Sequence, residues 1–181
     1  MADTGKPFLD GLARNVTTEP RPNALQIFHI NVNCSDLGRS LAFYKTIGFR
    51  EYLDFAAVDD GRTFGDIGLG PLFRLPARID GRATFLVLGD DPWSTRLDLI
   101  EWRDPASGSA GPRNLSHLGI ARICLKVRDC AALYAALKAG GYDVYSPPGL
   151  IAMGGSRQYV FCCADTDGVV IEFMQFVREE T

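Results

Sequence analysis

Leu25-Gln-Ile-Phe-His-Ile-Asn-Val-Asn33, followed at once by Cys34-Ser-Asp36 and a run that closes on Gly48, decides how this chain is built. Side chains alternate across a strand, so Ile27, His29, Asn31 and Asn33 point one way and Phe28, Ile30 and Val32 the other. One face is apolar and suits a core. The other carries polar atoms and suits the wall of a cleft. Ser35-Asp36 is a helix start, with Leu37, Leu41, Phe43 and Tyr44 at helical spacing and Gly48 as the stop. Strands are then predicted over 49–58, 83–88 and 95–102, the last two joined by the turn-forming Gly89-Asp-Asp-Pro92. The order is β, α, β, β, β.

That order returns downstream. A strand is predicted over 118–127, Asp129 starts a helix over 131–139, and Gly140-Gly141 stops it. Strands over 142–145, 157–163 and 169–177 complete the set, with Asp165-Thr-Asp-Gly168 as the tight turn into the last. Twelve positions separate Asp36 from Gly48 and Asp129 from Gly141, and an aromatic residue follows each glycine, Phe49 or Tyr142. A repeat of this size means two copies of one supersecondary unit, each too small to bury its sheet alone. Residues 59–82, rich in Gly and Pro, have no counterpart in the second copy and read as an insertion. Pro147 to Ser156 reads either as a plain connection or as a glycine-hinged lid over the cleft. The predicted organisation is an arm at 1–24, a first module at 25–105 and a second at 106–181.

Bulk composition narrows the function classes. An apolar fraction of 46% and a charged fraction of 23% over 181 residues are ordinary for a globular chain. A net charge of −3 gives no footprint for nucleic acid or an anionic membrane. No apolar run approaches the roughly 18 residues that span a bilayer, and the first residues lack the apolar core of a signal peptide, so a cytoplasmic protein is expected. Five cysteines without CxxC spacing suggest buried free thiols rather than a disulfide framework or a zinc knuckle. There is no GxSxG, Walker or dinucleotide fingerprint, and two histidines leave little material for a triad.

His29-Ile-Asn-Val-Asn-Cys-Ser-Asp36, Arg39-Ser-Leu-Ala-Phe-Tyr44 and Ile47-Gly-Phe49 resemble the opening of a vicinal oxygen chelate module. This is the superfamily of glyoxalases, epimerases, ring-cleaving dioxygenases and bleomycin-resistance proteins. Asp165-Thr-Asp-Gly-Val-Val-Ile-Glu172 resembles its last turn and strand, with Thr166 where a proline is usual. The resemblance covers about residues 25 to 176. It implies an α+β fold of two tandem βαβββ modules whose curled mixed sheets form a cleft. It also implies metal ligands from the first and last strands of each module: His29 and Glu101 (in Leu97-Asp-Leu-Ile-Glu-Trp102), then Glu172.

The fourth ligand position departs from that pattern. His29 lies seven residues before Asp36, and seven before Asp129 stands Arg122, which stays protonated and does not ligate metals. His117, five residues upstream, is off the strand register and would reach the cleft only from the preceding loop. Two readings of the set remain open. With His29, Glu101 and Glu172, a Mn²⁺, Fe²⁺, Ni²⁺ or Zn²⁺ ion would stabilise an enediolate, Glu172 or Glu101 would act as base, and Arg122 would anchor a substrate carboxylate or phosphate. Alternatively, Arg122 pairs with one of the carboxylates in a metal-free site, and His29 is a hydrogen-bonded histidine beside Asn31 or Glu101.

Asn31, Trp102, Tyr159 and Arg157 are further candidate substrate contacts. The first reading predicts a metal-assisted lyase, isomerase or epimerase acting on a small carbonyl or carboxylate substrate. The second predicts a metal-free protein that sequesters an aromatic or glycopeptide-like antibiotic. An extradiol dioxygenase is a third reading, although the second-module histidine it needs is absent. In each case the partner is a small molecule, and the modules pair within one chain or across a homodimer.

Overall fold

The structure is a computed structural model that describes residues 26–58, 61–91, 94–108, 115–116, 118–153 and 156–177. The arm predicted at 1–24, His117 and the glycine pair 154–155 lie outside the described residues. The polar-faced strand forms as β1 (His29–Asn33), with Val32 and Cys34 buried and His29, Asn31 and Asn33 exposed. Helix α1 (Leu37–Ile47) starts where expected: the Asp36 carboxylate accepts from the Arg39 amide at 2.8 Å. It stops at Gly48, whose φ of 111° is a left-handed conformation that a Cβ would penalise.

Strand β2 (Arg50–Asp54) follows, then two short helices, α2 (Phe55–Val58) and α3 (Leu69–Leu72), then β3 (Asp80–Val87) and β4 (Arg96–Asp104). The second half supplies β5 (Ile123–Lys126), α4 (Cys130–Ala139), β6 (Gly149–Met153), β7 (Ser156–Ala164) and β8 (Val170–Phe176). The first sheet has the order β1-β4-β3-β2 and the second β5-β8-β7-β6, so the repeat read in the sequence reappears as identical topology. In each sheet the first strand pairs parallel with the fourth, and the other pairs are antiparallel. The Asp129 carboxylate caps α4 at the Ala132 amide (3.0 Å), as Asp36 caps α1.

One core serves both halves. Phe43 and Tyr44 of α1 and Leu137 of α4 are sealed against Leu86, Leu97 and Leu99 of the first sheet and Phe161, Ile171 and Phe173 of the second. Neither sheet buries its helix-facing side alone, which is the physical meaning of the duplication. A polar clasp crosses between the halves at its edge. The Tyr44 hydroxyl donates to Asp165 at 2.9 Å, the Ser35 hydroxyl and amide donate to Asp167, and Arg39 reaches Asp167 at 3.3 Å.

Several predicted elements are corrected. The strand expected over 49–58 ends at Asp54, whose carboxylate accepts from the Ala56 amide and turns the chain into α2. That turn brings Phe55 onto Phe85, with ring centroids 4.9 Å apart. The strand expected over 118–127 begins only at Ile123. The one expected over 142–145 shrinks to a bridge between Val144 and Cys163, and the residues considered as a lid pair instead with β7 as β6. Pro147 and Pro148, lacking N–H donors, separate the two. All five thiols are free, but Cys124 is exposed rather than buried.

Residues 61–82 of the insertion are folded, and they pack on the side of the first sheet away from the helices. Phe64 and Ile79 are buried against Ala83 and Ile100, with Leu69, Leu75 and Trp102 around them. Gly70 is needed there, because a Cβ would lie 2.1 Å from the Pro76 carbonyl oxygen. Among the described residues, no helix is long and apolar enough to cross a membrane.

Candidate functional site

The face opposite the shared core carries the polar chemistry. On β4 the alternation that sends Leu97 and Leu99 into the core sends Arg96, Asp98, Ile100 and Trp102 to this face, beside His29, Asn31 and Asn33 of β1. Asp98 lies opposite Asn31 on one side and Phe85 on the other. On the second sheet, Glu172 lies opposite Cys124 of β5 and Cys162 of β7. Asp98 and Glu172 therefore occupy the same station in the two copies, as do His29 and Arg122.

The two stations differ in chemistry. Asp98 is only 8% exposed, its Oδ2 lies 4.0 Å from His29 Nε2, and its Oδ1 has no hydrogen-bond partner. Burial pushes its carboxyl up to about 6, and the nearby His29 opposes that rise. The His29 ring also packs 5.6 Å from that of Phe85. In the second copy the Arg122 Nε donates directly to the Glu172 carboxylate. That carboxylate raises the guanidinium further above its usual range through the hydrogen bond and through its charge. Of the two alternatives left open by the sequence, Arg122 thus takes the ion pair, and its partner is Glu172.

Glu101 is not in this cleft. It has the parity of Leu97 and Leu99, and its Oε2 accepts from the Leu37 amide at 2.8 Å, at the start of α1. The matching residue of the second copy, Gln175, accepts from the Cys130 amide at 2.7 Å, at the start of α4. Both side chains satisfy an orphan helix-terminal donor. The expected convergence of His29, Glu101 and Glu172 therefore fails at Glu101. Replacing Glu101 by alanine is expected to cost about 1 kcal/mol in urea denaturation and to leave ligand binding in the cleft unchanged. A tenfold loss of binding would place it back in the site.

Asp98 is the residue missed by the sequence reading. The signal was present: Leu97-Asp-Leu-Ile-Glu-Trp102 matches Ile171-Glu-Phe-Met-Gln-Phe176 position by position, acid on acid and helix-capping group on helix-capping group. Trp102 does face the cleft, where its indole Nε1 donates to Asn33 Oδ1 at 2.9 Å. In the second copy the same stations hold Lys126 and Phe176, with Lys126 Nζ 5.3 Å from the Phe176 ring centroid. Tyr159 and Arg157 are corrected, because they share the parity of Phe161 and Cys163, which lie in the core beneath α4. Asn31 remains at the cleft, with its Nδ2 donating to the Asp98 carbonyl at 3.2 Å.

Two adjoining cavities mark the open space. One of about 220 Å³ follows the seam between the halves, lined by residues 30–33 on one side and 120–123, including Arg122, on the other. A larger one of about 550 Å³ is lined by Asn33, Leu75, Trp102, Ser107 and Asp167, among others. Asn33 and Val169 border both.

The family model described as Glyoxalase/Bleomycin resistance protein/Dioxygenase superfamily matches residues 26–173. The chain belongs to this superfamily. No curated protein sequence matches it. Among solved structures, a glyoxalase family protein from Bacillus cereus is similar at 14% identity and a TM-score of 0.72, over 89% of this chain and 100% of that one. A glyoxalase/bleomycin resistance protein/dioxygenase domain from Frankia sp. follows at 16% identity and 0.58, over 85% and 99%. The trypanothione-dependent glyoxalase I of Leishmania major is similar at 19% and 0.56, over 84% and 87%. At these identities the likeness is one of fold.

Members of this superfamily generally bind divalent metals, and the residues here do not fit a four-donor centre. One station offers His29 and Asp98. The other offers a guanidinium, which cannot ligate, and a carboxylate already engaged by it. Among the described residues, no group of three or more His, Cys, Asp or Glu side chains is placed to hold one ion.

Proposed function

We propose that this glyoxalase-superfamily chain binds a small organic molecule in the seam cleft without a resident metal ion. The observation that carries the reading is the Arg122–Glu172 ion pair, which occupies the second half of the family's donor set. A metal-assisted lyase, isomerase or epimerase loses support for the same reason, and again because Glu101 faces the helices. An extradiol dioxygenase needs a second histidine where Arg122 stands. The metal-free binding reading requires neither. It is supported by an open cleft with aromatic and amide groups on its wall, Trp102, Asn31 and Asn33.

The test combines elemental analysis with thermal unfolding. Protein purified without chelator is expected to hold less than roughly a tenth of an equivalent of transition metal. Added Mn²⁺, Fe²⁺, Ni²⁺ or Zn²⁺ should leave Tm unchanged. A panel of small aromatic compounds should contain members that raise Tm by several degrees, since a ligand at 100 times its Kd adds about 2.7 kcal/mol. Stoichiometric metal that also stabilises the fold would sink the reading.

A further inference from the structure

We infer that the cleft ligand is an organic anion, a carboxylate attached to an aromatic or alicyclic body, gripped by the free end of the Arg122 guanidinium. The inference deepens the binding reading above and rests on it.

The charged groups near the seam differ in exposure. Arg122 has a side chain 45% exposed, whereas its partner Glu172 is 12% exposed. Asp98 is recessed in the same way on the other sheet, and His29 stands more exposed in front of it. Lys126 is exposed two stations along from Cys124, on the same face as Arg122. Of the side chains on the two sheet faces, the more exposed are therefore donors: Arg122, Lys126, His29 and the amides of Asn31 and Asn33, with Asp98 and Glu172 behind them. Asp167, on the wall of the larger cavity, is already engaged by Ser35 and Arg39.

Arg122 is also held ready. Its Nε is committed to Glu172, which fixes the guanidinium plane, and the two terminal nitrogens have no partner among the described residues. A guanidinium presents its donors as a planar fork that matches a carboxylate, and a fork already oriented loses little freedom on binding. Arg122 lines the smaller cavity with Asn31, and Asn33 and Val169 are shared with the larger one. There Trp102 and Leu75 offer apolar surface for the body of the ligand. The seam takes the head and the larger cavity takes the body.

The probes are four compounds of one shape: 2-naphthoate, 2-naphthylmethanol, 2-naphthylmethylamine and 2-naphthyl phosphate. They are titrated calorimetrically against wild type, Arg122→Gln, Arg122→Lys and Glu172→Gln at low salt. Naphthoate is expected to bind wild type 10- to 100-fold tighter than the alcohol, the range of one charge-assisted bidentate contact. Arg122→Gln should bring that ratio near one. Arg122→Lys should keep part of it, and Glu172→Gln should retain or increase it. Equal binding of acid and alcohol, preference for the amine, or a ratio unmoved in Arg122→Gln would overturn the inference and leave the binding reading standing. Tighter binding of the phosphate than of naphthoate would overturn the carboxylate assignment. Failure of every probe at millimolar concentration would sink the binding reading itself.

Discussion

Replacing Asp165 by alanine should lower the free energy of unfolding by about 3 to 4 kcal/mol, read from urea midpoints at constant slope. Three donors converge on this carboxylate: the Tyr44 hydroxyl at 2.9 Å, the Asp167 amide at 2.9 Å and the Val169 amide at 2.8 Å. It is 6% exposed, so water cannot replace them. Burial raises the Asp165 carboxyl above its usual range, and those same donors oppose the rise. Removing the group strands the hydroxyl of Tyr44, whose ring is buried in the shared core. Tyr44→Phe, which removes one donor and leaves the carboxylate its other two, should cost only about 1 kcal/mol. A loss under about 1 kcal/mol for Asp165→Ala would mean that the clasp between the halves contributes nothing and that apolar packing alone joins them.

Asp98→Asn should have the opposite sign and raise stability at pH 7.5 by up to about 3 kcal/mol. The folded carboxyl titrates at about 6, whereas the unfolded one titrates near its usual value of about 3.9. The native state thus binds this proton more tightly than the unfolded chain does. Above pH 6 the folded protein carries a buried charge with one oxygen unpartnered, and the gap between the folded and unfolded values corresponds to about 3 kcal/mol. That penalty shrinks as pH falls from about 6 to about 4, and below both values it is gone. The advantage of the asparagine variant over wild type should follow the same course, large at pH 7.5 and negligible at pH 4. An Asp98→Asn protein less stable than wild type at both pH values would show that the carboxylate is satisfied by a contact outside the described residues.

The duplicated architecture was legible because it is written locally. Capping residues, stop glycines and alternation recur at equal spacing, and Asp36, Gly48 and Asp129 do in the structure what their positions announced. Register across the repeat was legible for the same reason on β1 and β5, and it placed Arg122 at the station of His29. On β4 the same counting went astray. Glu101 and Asp98 are three residues apart on one strand, an odd offset that exchanges the faces of the sheet. The pattern carried over from the family falls on Glu101, while the aligned hexapeptides point to Asp98. Aromatic character alone suggests Tyr159 for the cleft, but its even spacing from Phe161 puts it on the core face. The course of residues 59–82 had no local signature at all. Phe64 and Leu75 find Ile100 and Trp102 only through the tertiary fold, and no periodicity encodes that meeting.

The insertion gives the cleft a direction. Phe64, Leu69 and Leu75 screen the cleft face of the first sheet, whereas Cys124, Lys126 and Phe176 on the second stay bare. A frame with near two-fold symmetry thus has a front and a back. For the anion inferred above, the exposed cations Arg122 and Lys126 lie on the second sheet and the aromatic wall of Trp102 on the first. Capture of such an anion should then slow as salt is added, while the residence time of the bound molecule changes little.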